Sequence, residues 1–179
     1  MSPSFSRRGL LKVSALALTA GAIGSAVPNA AALGPVRGTI IDFAVGVPSA
    51  AGIKRAGHLG AIRYVSKRRP GAESWMTGKP VTLQETKANA AQGLATASIY
   101  QFGRAETADW KQGAAGAAIH APQAIALHKA AGGPTNRPIY IAIDDNPTRA
   151  QYDQQIKPYL QTFSRLLSAA GYQTGVYGN

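Results

Sequence analysis

The stretch "IYIAIDDNP", residues 139–147, joins a buried-strand pattern to two adjacent carboxylates. Its short apolar run is rich in β-branched residues, as in a strand covered on both faces. After Asp144 and Asp145 the chain passes to Asn146 and Pro147, which commonly begin a helix. Only eight of the 179 residues are acidic, so a pair of them at one strand end calls for an explanation. The place of this strand in the fold decides what the carboxylates can do.

The same order of strand and helix recurs along the chain. Strands are expected at residues 38–45, 59–66, 94–103, 138–145 and 172–179, and helices at 48–57, 81–93, 108–133 and 148–171. Thr82 and Glu85 have the spacing of a capping box, and the third helix is expected to break near Pro122. Alternating strands and helices predict right-handed βαβ units and a parallel sheet.

Two parallel architectures fit this order, a doubly wound sheet and a (β/α)₈ barrel. No glycine-rich nucleotide-binding motif follows any expected strand, which weakens the first. Polar residues stand at the carboxyl ends of the expected strands, as in barrel enzymes: Asp42, Ser66, Gln101, Asp144 and Asn179. We therefore predict a parallel α/β barrel of the TIM type. We expect this barrel to be incomplete, with about five βα units of the eight that a closed barrel needs, and truncated after the fifth strand. An open five-stranded half-barrel is the alternative.

Strand parity indicates which acids face the same side. Side chains alternate across a strand, so Tyr140, Ala142 and Asp144 share one face while the three isoleucines share the other. In the first strand Ile40 and Asp42 share a face by the same rule. Asp42 and Asp144 are thus predicted to converge over one cavity, with Asp145 leaning outward or onto the rim.

Composition restricts the chemistry of such a cavity. The chain has no cysteine and three histidines without metal-binding spacing, so neither a metal nor another cofactor is expected. Its formal charge of +11 suits anionic wall polymers, lipid head groups or nucleic acid. The densest basic stretch, "SKRRPG" at 66–71, reads as a loop, and no nucleic-acid motif accompanies it. Nucleic acid is therefore not expected as a partner.

The N-terminal residues have the pattern of an export signal. "SRRGLLK", residues 6–12, precedes the apolar segment 13–27 and the small residues 30–32. This order predicts a twin-arginine signal peptide over residues 1–32 and a domain over 33–179. A retained N-terminal anchor is the alternative. The mature form would have no transmembrane span, and losing three basic residues would lower its charge from +11 to +8. We expect export by the twin-arginine translocase to the cell envelope or beyond.

The carboxylates admit a catalytic and a structural interpretation. Paired acids in a cleft can hydrolyse glycosidic bonds, which makes Asp42, Asp144 and Asp145 the catalytic candidates. Alternatively, Asn146 caps the next helix and Asp145 favours the positive end of its dipole. Thr148 and Gln151 form a second possible capping box.

A further set of side chains could bind substrate: Arg63, Gln101, Tyr177 and Asn179. Parity leaves open whether Arg63 or Tyr64 faces the cavity. Tyr100 and Trp110 could stack on a sugar ring, although each is more often a packing residue.

Several motifs together resemble a known family: "GTIIDFAVGV", "GAIRYVSKRRPG", "YQFG", "TADW", "PIYIAIDDNP" and "TGVYGN". From Gly38 to Asn179 the chain is similar to the actinobacterial, twin-arginine-exported glycoside-hydrolase-like proteins, a domain family long labelled as of unknown function. The resemblance implies a barrel similar to the family 25 glycoside hydrolases, which are muramidases. It also implies a cell-envelope role in which peptidoglycan or related wall polysaccharide is bound or cleaved.

Matching those muramidases residue by residue reveals one departure. Their first-strand Asp matches Asp42, and their fourth-strand Asp-x-Glu matches Asp144, Asp145 and Asn146 in order. The Glu that serves as general acid therefore falls at Asn146, whose amide cannot donate a catalytic proton. A non-catalytic carbohydrate-binding or envelope-organising module is the alternative to a glycoside hydrolase.

Overall fold

Five strands alternate with helices in residues 35–178, the part of the chain that the computed structural model describes. The predicted signal segment, residues 1–32, and Asn179 lie outside the described residues. The strands are β1 Ile40–Asp42, β2 Gly60–Tyr64, β3 Ala95–Tyr100, β4 Pro138–Ile143 and β5 Gln173–Gly178. The helices are α1 Ala50–Arg55, α2 Leu83–Ala91, α3 Gly113–Ala130, α4 Arg149–Gln151 and α5 Lys157–Ala169. All five predicted strands are confirmed, each shorter than expected.

The strands form one parallel sheet in the order β1-β2-β3-β4-β5. Pairing aligns Asp42 with Ile62, Ile99 with Tyr140, and Ala142 with Tyr177. The predicted parallel α/β class is therefore confirmed. The sheet is not closed, since within residues 35–178 the first and last strands each pair with a single neighbour.

The helices cover one face of the sheet, which we call the outer face. Its core joins the three β4 isoleucines to fully buried side chains of α5 and the turn before it, spaced to repeat on one side of the helix: Ile156, Tyr159, Phe163 and Leu167. A fully buried side chain of this size stabilises the fold by roughly 1.5–3 kcal/mol. Because one set of strand side chains fills this core, the alternate side chains of each strand point to the opposite face of the sheet.

We call the other face the inner face, because its apolar cluster consists of strand and loop residues alone: Ile62, Tyr64, Ile99 and Ala142, with Ala44, Ala97, Tyr140 and Tyr177 packed against them. Gly175 makes room for the Tyr140 ring, since a Cβ there would lie 2.4 Å from a ring carbon. Asp42, aligned with Ile62, lies on this face too. The parity prediction for β1 and β4 is thus confirmed.

Of two predictions about the helices, the structure contradicts one and confirms the other. The predicted break near Pro122 is wrong, because α3 continues through that residue. Its small side chains Ala117, Ala121 and Ala124 are completely buried in the outer core, and this packing outweighs the lost hydrogen bond. The helix after β4 has Thr148 rather than Asn146 as its N-cap, so the predicted capping box of Thr148 with Gln151 is confirmed.

Candidate functional site

Asp42 ends β1 on the inner face, with its carboxylate exposed to solvent. The Tyr64 hydroxyl donates a hydrogen bond of 2.7 Å to Asp42 Oδ2. Burial, and then the Asp42 charge, raise the pKa of Tyr64, so the phenol stays protonated and remains a donor. Parity had left β2 undecided, and the structure places Tyr64 on the inner face. Tyr64 therefore holds one oxygen of Asp42 in place.

Lys79 is almost fully buried and contacts the ring of Tyr64. Its Nζ lies 4.0 Å from the centre of the Tyr64 ring and donates a hydrogen bond of 2.8 Å to the Gln101 carbonyl. Such a cation over an aromatic face is attracted by the ring quadrupole, most strongly when desolvated. Burial lowers the pKa of Lys79 to about 8, with the nearby Arg69 adding to the effect. Lys79 thus links β2 to the end of β3.

Asp144 follows β4 and is half-buried. Gln101 Nε2 donates to Asp144 Oδ2 over 3.4 Å. Arg104 Nε lies 3.5 Å from the same oxygen and donates to the Asp144 carbonyl at 3.2 Å. Polar contacts therefore run without interruption from Asp42 through Tyr64, Lys79 and Gln101 to Asp144.

Tyr177 on β5 lies within the electrostatic reach of both acids. Burial raises its pKa, the charges of Asp144 and Asp42 raise it further, and Arg104 lowers it. The structure therefore brings four of the predicted site residues together at one edge of the sheet: Asp42, Gln101, Asp144 and Tyr177. We call this group, with Tyr64, Lys79 and Arg104, the inner cleft.

Asp145 points away from the inner cleft and holds a loop. Its Oδ1 accepts a hydrogen bond of 3.0 Å from the Ala105 amide, and its Oδ2 accepts one of 2.9 Å from Trp110 Nε1. Asp145 therefore holds the loop of residues 105–110 in place. The neighbouring Asn146 is exposed.

Arg63 is not brought to the inner cleft. It is fully buried on the outer side, where Nε pairs with Glu85 of α2. The guanidinium also stacks 3.6 Å from the Phe43 ring centre and donates to the carbonyls of Phe43 and Gly78. Arg63 thus fastens α2 and the loop before it to the end of β1.

The remaining aromatic candidates and two of the three histidines, His120 and His128, are buried in packing. Tyr100 and Trp110 are buried in the outer core, away from the inner face. Tyr100 shares a hydrogen bond with His120 Nδ1, and His128 Nδ1 bonds Ser98 at 2.8 Å. Burial lowers the pKa of both histidines.

Sequence reasoning missed two members of the inner cleft, Lys79 and Arg104. Both stand in loops, where strand parity carries no information. A basic loop residue three positions beyond a polar strand end, as in Gln101 followed by Arg104, is the signal that could have found the arginine. No sequence pattern distinguishes Lys79 from the other basic residues of the loop after β2. Within residues 35–178, no three acidic or histidine side chains could hold a metal ion, and no helix is long and apolar enough to cross a membrane.

The chain matches a family model and is similar to a protein of Mycobacterium tuberculosis. The sequence model of the family described as "Rv2525c-like, glycoside hydrolase-like domain" matches residues 51–179. The chain is 47% identical over 180 residues to Rv2525c of Mycobacterium tuberculosis, covering 98% of this chain and 73% of that protein. The name of that relative describes it as a candidate peptidoglycan hydrolase. The resemblance drawn from the motifs is confirmed.

The chain also resembles solved structures. The crystal structure of the Tat-secreted protein Rv2525c from Mycobacterium tuberculosis, in complex with L-tartrate, is 51% identical with a TM-score of 0.74, covering 79% of this chain and 68% of that one. A Bacillus stearothermophilus protein of unknown role has 19% identity and a TM-score of 0.58 over 77% of this chain and 59% of its own, which shows a shared fold alone. Secretion of the first relative confirms the prediction of export to the cell envelope or beyond.

Proposed function

Because the chain belongs to the Rv2525c-like, glycoside hydrolase-like family, we propose that its inner cleft binds peptidoglycan or a related wall polysaccharide. The observation that carries the proposal is the placement of Asp42, Asp144 and Tyr177 on the inner face at the carboxyl ends of the strands. Carboxylates accept hydrogen bonds from sugar hydroxyls, and a half-buried tyrosine ring offers a face on which a pyranose can stack. The relative's name as a candidate peptidoglycan hydrolase supports the choice of polymer.

Hydrolysis of a glycosidic bond is the first candidate activity of this cleft. It needs one carboxylic acid to protonate the leaving oxygen and one carboxylate to act as nucleophile or to activate water. With Asp145 committed to the loop, Asp42 and Asp144 would divide these roles between them. Tyr64 and Gln101 would orient the two acids through their hydrogen bonds. The positive charge that develops on the sugar ring would be stabilised by whichever carboxylate is ionised.

A non-catalytic glycan-binding module is the second candidate. Two observations favour it: Asn146 stands where the family 25 muramidases have their general acid, and both oxygens of Asp145 accept hydrogen bonds from N–H groups. Neither side chain is placed to replace the missing acid. Binding would then use the same inner cleft without turnover.

The strand order and the N-terminal sequence support two further inferences, one about the architecture and one about export. Strands in strictly sequential parallel order, with helices on one face and polar residues on the carboxyl ends of the other, are the arrangement of a barrel sector. We infer that the sheet is part of a TIM-type barrel whose lumen is the inner face. Residues 1–32 would be the twin-arginine signal peptide, recognised by the twin-arginine translocase, followed by the glycoside hydrolase-like domain.

Release of reducing ends from purified peptidoglycan separates the two candidates. Hydrolysis predicts release by the unmodified chain and loss of at least roughly a hundredfold in Asp144→Asn, with the fold intact by circular dichroism. The matched control is Asp153→Asn, which removes an exposed carboxylate on the turn after α4 and should leave the rate unchanged. Binding without release by any variant would establish the second candidate, and neither binding nor release would refute the proposed function.

A further inference from the structure

Arg104 stands at the edge of the inner cleft with one side of its guanidinium engaged. Its Nε is occupied by the carbonyl and carboxylate of Asp144, at 3.2 and 3.5 Å. The side chain is 66% exposed, and within residues 35–178 no hydrogen bond from Nη1 or Nη2 is found. A guanidinium carries its donors in a rigid planar fork, so fixing Nε leaves the paired Nη groups oriented toward a ligand.

The backbone that carries Arg104 is fixed on both sides. The Arg104 amide donates to Thr107 Oγ1 at 3.1 Å, and the next amide, of Ala105, donates to Asp145. Ala105 has a φ of 50°, a left-handed conformation that costs a non-glycine residue energy and is held here by that hydrogen bond. The loop therefore holds Arg104 beside Asp144 before any ligand arrives, which lowers the entropic cost of binding.

The charge of the cleft determines what this fork can accept. Asp42 and Asp144 repel an anion, so an anionic ligand needs a cation at the point where its charge lies. A planar, singly charged carboxylate matches the fork in a bidentate manner. A phosphate monoester would bring about two negative charges to the same acids and is disfavoured. The position of Arg104 next to Asp144 places the ligand's carboxylate beside the sugar that contacts Asp144.

We propose that Arg104 binds a carboxylate carried by a sugar, so that the preferred ligand of the inner cleft is an acidic glycan. This inference rests on the proposed function and specifies its ligand class. The carboxylate can belong to a lactyl ether or to a uronic acid, since both offer the same planar anion. Arg104 acts as a specificity residue, whereas Asp42 and Asp144 face the sugar rings.

The test compares each acidic glycan with its own neutral form. Calorimetry measures Kd for a peptidoglycan tetrasaccharide with free lactyl carboxylates and for its methyl ester, and for a hyaluronan tetrasaccharide and its methyl ester. We expect esterification to weaken binding roughly tenfold or more for the glycan that carries the correct carboxylate. In Arg104→Gln this preference disappears, so acid and ester bind with similar affinity, and Arg104→Lys keeps part of the preference because a point charge remains. Arg137→Gln, an exposed arginine before β4 at the opposite end of the strands, controls for net charge.

Each outcome decides a different claim. Equal affinity for acid and ester with both glycans refutes the role of Arg104 but leaves the proposed function standing. A preference for the acid over its ester that survives in Arg104→Gln also refutes it. If none of the four glycans binds, the proposed function fails and this inference fails with it. The glycan that shows the arginine-dependent preference identifies the source of the carboxylate.

Discussion

The ammonium of Lys79 lies 4.0 Å from the centre of the Tyr64 ring, and the hydroxyl of that ring donates to Asp42. A buried cation, an aromatic face and an exposed carboxylate thus follow one another within the inner cleft. Because Lys79 also bonds the Gln101 carbonyl, a change in its charge acts on both halves of the cleft. The contact between Lys79 and Tyr64 therefore contributes both to the stability of the domain and to the orientation of Asp42.

Lys79 should give the stability a distinctive pH dependence. The pKa of Lys79 is about 8 in the folded protein and 10.5 in an unperturbed side chain. Between these values the unfolded chain binds more protons, so stability rises with pH. We expect a gain of about 1–2 kcal/mol from pH 8 toward pH 9.5 in urea unfolding. Above about pH 10 the gain should reverse, because burial raises the pKa of Tyr64, Tyr100 and Tyr159 and holds them protonated while unfolded tyrosines ionise.

Substitution identifies the source of that rise. Lys79→Met should remove it, whereas Lys87→Met, a change at an exposed site on α2, should retain it. A rise that persists unchanged in Lys79→Met would assign it to another group. The slope is the readout, so the comparison holds even if the variant is less stable at every pH.

The buried pair of Arg63 and Glu85 should matter far more than the exposed pair of Arg149 and Asp153. Removing one partner of a buried ion pair leaves the other charge uncompensated, so Glu85→Ala should cost about 3–5 kcal/mol in chemical unfolding. Glu85→Gln keeps an acceptor for Arg63 and should cost less. Asp153→Ala breaks an i,i+4 pair whose arginine is 85% exposed and should leave the unfolding midpoint nearly unchanged. Similar losses in the two alanine variants would contradict the structural role assigned to Arg63.

Asp145 should behave as a loop anchor rather than as an acid. Asp145→Ala removes the acceptors of the Ala105 amide and of Trp110 Nε1, at a cost of roughly 1–3 kcal/mol. In a Trp75→Phe background, tryptophan emission comes from Trp110 alone and should shift to longer wavelength as water reaches the indole. Unchanged emission together with complete loss of glycan hydrolysis would indicate a catalytic acid instead. Asp153→Ala in the same background is the control.

The fold and half of the inner cleft follow from local sequence patterns. The alternation of strands and helices and the period-two parity of β1 and β4 are local properties, so Asp42 and Asp144 could be assigned to one face from sequence alone. Arg63 and Tyr64 could not be separated in that way. Both are buried, and their directions depend on Glu85 and Asp42, which lie more than 20 positions away in the sequence. Contacts between residues so far apart in the sequence produce no periodic sequence pattern.

The role of Asp145 illustrates a second limit. Next to Asp144 at a strand end, it has the sequence context of a site residue or of a helix cap, whereas the structure shows it holding a loop. Its partners, Ala105 and Trp110, belong to a loop whose path depends on tertiary packing. Lys79 is a similar case, since a lysine before a proline reads as a loop residue and its burial arises from contacts with Tyr64 and Gln101.

The central claim is that the inner cleft is where the protein meets wall glycan, and NMR chemical-shift mapping tests it most directly. On titration of the isotope-labelled chain with a peptidoglycan tetrasaccharide, the largest shift changes should cluster at the carboxyl ends of the strands: Asp42, Tyr64, Gln101, Arg104, Asp144 and Tyr177. The Asp42→Asn, Asp144→Asn double variant should lose them, and Asp153→Asn should not. Changes confined to the outer helices, or retained in full by the double variant, would contradict the claim.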